Sequence, residues 1–85
     1  MANVTPIKKI LIANRGEIAR RIMRTAHDMG ISTVAIFADG DSSAPFVKEA
    51  DTAISLEGRT TAETYLDVDK VINARKSSGA DALHP

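Results

Sequence analysis

The chain has 85 residues, 44% apolar and 26% charged; its 11 basic and 11 acidic side chains cancel to a formal net charge of zero, and it has no cysteine and no tryptophan. Zero cysteine excludes a disulfide scaffold and a thiolate metal site and suits the cytoplasm, while balanced charge lacks the basic footprint of a dedicated nucleic-acid binder. No apolar stretch approaches the about 20 residues that a bilayer demands, residues 1–9 fit neither a secretory signal nor a transit peptide, and the apolar share is too high for disorder.

In chain order, Lys8-Lys9-Ile10-Leu11-Ile12-Ala13-Asn14 is a short apolar run between lysines and an Asn-Arg-Gly stop, which predicts a strand buried on both faces of a parallel sheet. Residues 17–29 switch to helical period. Ile18, Ile22, Ala26 and Met29 form one stripe, widened by Ala19 and Met23, and Gly30 suits the position that closes a helix. The β-branched run over 33–38 predicts a second strand. Asp39-Gly40-Asp41-Ser42-Ser43 is turn chemistry, and Pro45 suits the first turn of a short helix over 44–50. A weaker strand follows at 52–56. Thr60 and Glu63 have capping-box spacing, Asp67 offers a second cap, and Val68, Val71 and Ile72 mark a helix that ends before Gly79. Residues 80–85 begin a fourth strand.

Strand and helix alternate throughout, with connections too long for hairpins. The expected fold is α/β: an open, mostly parallel, Rossmann-like sheet with helices on both faces and right-handed crossovers. It reads as one domain over residues 1–85, incomplete at its C-terminal side.

In dinucleotide-binding folds the first strand-to-helix turn carries Gly-x-Gly-x-x-Gly. The matching positions here are Asn14, Gly16 and Ala19, and Asp39 lies near the place of a ribose-binding acid. Glu17 counts against a phosphate there, because its carboxylate already supplies the anion that a helix N-terminus favours. On this reading Asn14, Arg15, Gly16 and Glu17 build a tight turn and a helix start. An NAD(P)-binding domain stays open as the enzyme-class alternative.

Arg20, Arg21 and Arg24 cluster on the first helix, where Glu17–Arg21 and Arg24–Asp28 have i,i+4 spacing. Such pairs contribute about 0.2–0.5 kcal/mol each and commonly mark a solvated face. The sharper reading is a subunit interface, since Arg forms bidentate pairs and is enriched at interface cores; a stand-alone dimerising module would use the same helix. His27 has no partner at metal-ligand spacing and reads as solvated. His84 lies at the carboxyl end of a parallel strand, the edge where such sheets bind ligands, and Pro85 favours extended backbone before it. Nothing in the chain matches a Ser-His-Asp set, a Gly-x-x-x-x-Gly-Lys-Ser/Thr loop or a metal cluster.

The string Ile10-Leu11-Ile12-Ala13-Asn14-Arg15-Gly16-Glu17-Ile18-Ala19 resembles the opening of the biotin carboxylase family, as do Ala50-Asp51, Tyr65-Leu66 and Gly79-Ala80-Asp81-Ala82-Leu83-His84-Pro85 in the same order. The resemblance implies an N-terminal, pre-ATP-grasp segment of a ligase that uses ATP with Mg (or Mn) and bicarbonate to carboxylate biotin on a carrier protein. The parent would serve an acyl-CoA carboxylase or the front of a pyruvate carboxylase. Its implied partners are the remaining biotin carboxylase domains, a biotin carboxyl carrier protein or domain and a carboxyltransferase subunit.

The resemblance also implies that the family's ATP-grasp and C-terminal domains are not represented, and that no catalytic, cofactor-binding or metal-binding residue of the family maps into residues 1–85. In the family a Gly-Tyr-Gly loop near the biotin and bicarbonate site follows His-Pro, which makes His84 a candidate for the edge of that site. Bacterial homodimers of the family place charged residues of the first helix at the subunit interface, at positions matching Arg24 and Asp28. With Arg21 beside them, these are the interface candidates for a homo-oligomer.

Overall fold

The computed structural model describes residues 7–60 and 62–84. In chain order its elements are β1 (Lys9–Ile12), α1 (Gly16–Asp28), β2 (Ser32–Phe37), a 3₁₀ turn (Asp39–Asp41), α2 (Pro45–Glu49), β3 (Thr52–Ser55), α3 (Val68–Ser78) and β4 (Ala82–His84). The four strands form one parallel sheet in the order β3-β2-β1-β4. The alternation expected from the sequence is therefore present. Pro85 lies outside the described residues.

Alternation along the strands divides the core in two. Leu11, Val34 and Ile36 face one side, where they pack with Leu56 and with Val71 and Ala74 of α3. Ile12 and Ala35 face the other, against Ala19 and Met23 of α1 and Phe46 and Val47 of α2. Leu11, Ile12, Val34 and Ile36 are fully buried, and burying each contributes about 1.5–3 kcal/mol. β1 and β2 are thus covered on both faces, which is why they read as unbroken apolar runs.

The helix ends follow local chemistry. Pro45 opens α2, and the Asp67 carboxylate accepts the Lys70 N–H at 3.2 Å to cap α3. At the end of α1 the N–H groups of Gly30 and Ile31 donate to the carbonyls of His27 and Ala26. Those of Gly79 and Ala80 make the matching bonds to Lys76 and Arg75 at the end of α3. The Thr60–Glu63 box is reciprocal: Glu63 Oε1 accepts the Arg59 and Thr60 N–H groups and Thr60 Oγ1 accepts the Glu63 N–H, each bond within 3.2 Å. It braces a run of turns over 62–66, and α3 begins only after Asp67.

The stripe expected on α1 is corrected. The buried residues are Ala19, Met23 and Ala26, whereas Ile18 is 59% and Met29 69% exposed. At about 100° per residue the apolar arc is wider than one contact face. The helix sits on the sheet by its alanines, which allow close approach, and leaves the Ile18–Met29 side uncovered. Val68 and Ile72 of α3 likewise lie outside its buried face.

Two aspartates fasten the amino edge of the sheet. Asp81, just before β4, accepts the N–H groups of Lys8 and Lys9 at 2.9 and 3.0 Å. Asp51, just before β3, accepts the Thr33 N–H at 2.8 Å and its hydroxyl at 3.2 Å, while Asp51 N–H donates back to Thr33 Oγ1 at 3.1 Å. These backbone donors hold both carboxyls below the ordinary aspartate value. His27 is drawn into the second cluster, with Nε2 3.2 Å from Asp51 Oδ2 and 3.3 Å from Thr33 Oγ1. The expectation of a merely solvated His27 is corrected, because the crossover to β3 returns Asp51 beneath the end of α1.

Candidate functional site

In an open parallel sheet the strand order reverses at one place, and the loops beyond the carboxyl ends of the two strands there diverge to leave a crevice. Here the chain runs outward from β1 through β2 to β3 and then returns to add β4 on the other side of β1. The reversal therefore lies between β1 and β4. At their carboxyl ends stand Asn14, two residues past β1, and His84, the last residue of β4.

These two residues, 70 positions apart in sequence, touch: His84 Nδ1 is 2.7 Å from Asn14 Oδ1. The backbone runs parallel to that contact, with Ala13 N–H donating to the His84 carbonyl at 2.9 Å. An amide oxygen can only accept, so the nitrogen facing it carries a proton. Asn14, read from the sequence as a turn residue, thus also joins the ends of two strands.

Next to this pair the loop after β1 meets the loop after β2. The Arg15 guanidinium is 2.8 Å from Asp41 Oδ2 and lies over the Tyr65 ring, 4.9 Å from its centroid. Tyr65 donates its hydroxyl proton to Asp41 Oδ2 at 3.0 Å and accepts the Ala38 N–H at 3.3 Å. Burial, then the Asp41 contact, pushes the Tyr65 phenol up to about 12. One arginine, one acid and one phenol thereby tie three segments of the carboxyl edge together.

Gly16 follows at φ +59, a left-handed conformation that any side chain would strain. Beside it an open recess of about 480 Å³ is lined by Arg15, Gly16, Glu17, Arg20, Asp41 and Phe46, among others. This is where a dinucleotide fold would seat a pyrophosphate, and the residues do not fit one. Arg15 is engaged by Asp41, and Arg20 is held by both oxygens of Glu49 at 2.9 and 3.1 Å. Glu17 adds a carboxylate in the first turn, 3.6 Å from both Arg20 and Arg24. Each cation already has its anion. Asp39, the ribose-acid candidate, is exposed and fixed through its N–H to the Gly58 carbonyl. Among the described residues no group of three or more His, Cys, Asp or Glu could hold a metal ion, and no helix is long and apolar enough to cross a membrane.

The charge pattern on α1 differs from its i,i+4 expectation. Glu17 turns to Arg20 and Arg24 and not to Arg21, and no ion pair among the described residues joins Arg24 to Asp28. The cause is tertiary: Glu49 of α2 draws Arg20 in, and the Arg20 guanidinium holds the Glu49 carboxyl below its usual range. Arg21, Arg24 and Asp28 remain exposed.

Pattern reasoning missed Asp41, Asp51, Thr33 and Asp81, and gave Tyr65 no role of its own. The usable signal for two of them is the Ala-Asp step before each edge strand, at Ala50-Asp51 and Ala80-Asp81.

Comparison with known proteins agrees with this architecture. Residues 6–85 match the family model of the biotin carboxylase N-terminal domain. The chain is 51% identical over 79 residues to the biotin-dependent acyl-coenzyme A carboxylase alpha3 subunit of Mycobacterium leprae, covering 93% of this chain and 13% of that subunit. Among solved structures, the urea amidolyase of K. lactis superposes with a TM-score of 0.89 at 55% identity, covering 91% of this chain and 5% of that one. The multifunctional pyruvate carboxylase of Rhizobium etli gives 0.87 at 46% identity, covering 95% and 9%. The chain therefore spans a small part of the length of the relatives it matches.

Proposed function

The chain belongs to the family of biotin carboxylase N-terminal domains, and from that premise we propose that it works as the N-terminal part of an ATP-dependent biotin carboxylase. The whole protein carboxylates biotin on a carrier protein or domain, with bicarbonate as the carbon source, and hands the carboxyl group to a carboxyltransferase. The observation that carries this reading is the family match over residues 6–85, reinforced by relatives of several substrate classes that share about half of these residues.

Within that enzyme the segment provides a wall. Its carboxyl edge, with Asn14 and His84 at the strand-order reversal, faces the reaction from one side. The recess at Gly16 is self-neutralised, so ATP and its Mg or Mn ion are held by residues of the other domains. No step of the reaction runs through a group bound here. The uncovered side of α1, with Arg21, Arg24 and Asp28 exposed beside Ile18 and Met29, is the proposed contact between copies of the enzyme.

The test uses the full-length polypeptide that carries this chain, supplied with MgATP, bicarbonate and free biotin. Biotin-dependent and bicarbonate-dependent ADP release is the expected result, and its absence in folded protein overturns the reading. The 85-residue segment by itself is expected to release none. Sedimentation of the full-length protein at several concentrations tests the contact: Arg24→Glu is expected to shift it toward monomer, and an unchanged profile rejects α1 as the interface.

A further inference from the structure

The carboxyl edge carries two polar fastenings of different kinds. Arg15, Asp41 and Tyr65 form a charge-balanced knot that ties loops to one another. The Asn14–His84 contact instead joins the ends of β1 and β4 across the reversal of strand order, at 2.7 Å between a half-buried Asn14 and an exposed His84. Such a bond exchanges with water and adds little to stability, so stability is a poor reason for a pairing of these residue types at this place. Its geometric effect is larger. Register pairs Ile12 with His84, Ala13 N–H holds the His84 carbonyl, and the imidazole is then fixed by its Nδ1 to Asn14. His84 is thus held at the end of β4 by three consecutive residues, Ile12 of β1 and Ala13 and Asn14 of the loop after it.

We propose that Asn14 and His84 are positioning residues: the bond from His84 Nδ1 to Asn14 Oδ1 holds His84 in place at the carboxyl end of β4, and thereby the wall that this strand end presents to the carboxylation reaction. This rests on the function proposed above. His84 works here through Nδ1, as a donor to a neutral amide, and its role is geometric. A displacement on the order of 1 Å at a reacting centre costs about a hundredfold in rate, so even partial release of this clamp is measurable in turnover.

The residue chemistry supplies a discriminating pair of variants. An asparagine at position 84 places its amide nitrogen near the position of Nδ1, whereas a glutamine places its own near that of Nε2. In the full-length carboxylase, His84→Asn is expected to retain kcat to within about twofold, while His84→Gln and Asn14→Ala lower it about tenfold with KM for MgATP unchanged. Asn14→Ala added to His84→Gln is expected to cause no further loss, as members of one unit do. Melting temperatures are recorded for every variant, and the kcat ratio is taken well below the lowest of them.

If glutamine retains turnover and asparagine does not, His84 acts through Nε2 and the proposal fails. It fails equally if all variants turn over like the parent, or if the losses appear only as a raised KM for MgATP. A parent enzyme without bicarbonate-dependent ADP release removes both this proposal and the function beneath it. An active parent with indifferent variants removes this proposal alone.

Discussion

The two edges of the sheet are fastened by different chemistry. At the amino edge, Asp51 and Asp81 direct their carboxylates at backbone N–H groups of the neighbouring strand, so charge is spent on completing the sheet's own hydrogen bonding. At the carboxyl edge the side chains mostly meet one another, Asn14 with His84, Arg15 with Asp41 and Tyr65 with Asp41, and only Tyr65 also takes a backbone N–H, that of Ala38. Backbone groups cannot be exchanged by mutation, and side chains can. The amino edge is therefore built to hold a fixed register, while the carboxyl edge can be retuned residue by residue without unpicking the strands. In α/β folds that second edge is the one that hosts ligands.

The contrast can be broken most sharply at Thr33. Its side chain is fully buried, and its hydroxyl is shared with Asp51 and His27. Thr33→Val keeps the shape but strands the Asp51 N–H, and is expected to cost about 2 kcal/mol in urea unfolding, with Thr33→Ser recovering part of it. The corresponding cut at the carboxyl edge, Tyr65→Phe, removes the acceptor for Ala38 N–H and the donor to Asp41. A loss of about 1 kcal/mol is expected.

Titration separates the edges further. Asp51 and Asp81 have folded values below the ordinary 3.8, so their contribution is present above that pH and is lost as pH falls through the lower folded values. Asp51→Asn and Asp81→Asn are expected to flatten this acid limb in pH-resolved chemical denaturation. Tyr65 titrates in the opposite sense. Raised from 10.0 to about 12, it contributes fully below pH 10 and loses that contribution as pH climbs toward 12; Tyr65→Phe is expected to abolish that part of the alkaline limb. Were Tyr65→Phe to alter only the acid limb, the division between the edges would be wrong. The smallest effect is expected for Arg15→Lys, below about 1 kcal/mol, since a half-exposed ion pair and an exposed cation over a ring are each weak.

Much of the fold was legible in sequence because it is written locally. Pro45, Gly30, Gly79 and Asp67 mark helix ends through contacts within one turn, and the apolar runs at 10–12 and 33–37 declare doubly covered strands. What stayed hidden depends on the crossovers. Thr33 and Asp51 are 18 positions apart, Asn14 and His84 are 70, and Lys8 and Asp81 are 73; no spacing rule joins them. The contact face of α1 was misread for a related reason, since hydrophobic period gives the width of an apolar arc but not which part of it meets the sheet. Of the candidate site, the first loop and His84 were found by their positions at strand ends. Asp41 and Tyr65 were missed as its other fastening, because Asp41 looks like an ordinary turn residue and nothing near Tyr65 in sequence points to it until the loops converge.

The uncovered flank of α1 has a practical consequence for anyone handling the 85-residue piece in a tube. Ile18 and Met29 face water on a molecule whose formal charges cancel and whose composition gives an isoelectric point of about 6.7, so near neutrality there is little mutual repulsion to keep copies apart. Its solubility minimum should fall close to that pH, and buffers one or two units to either side, or a fusion partner rich in glutamate, should keep it in solution.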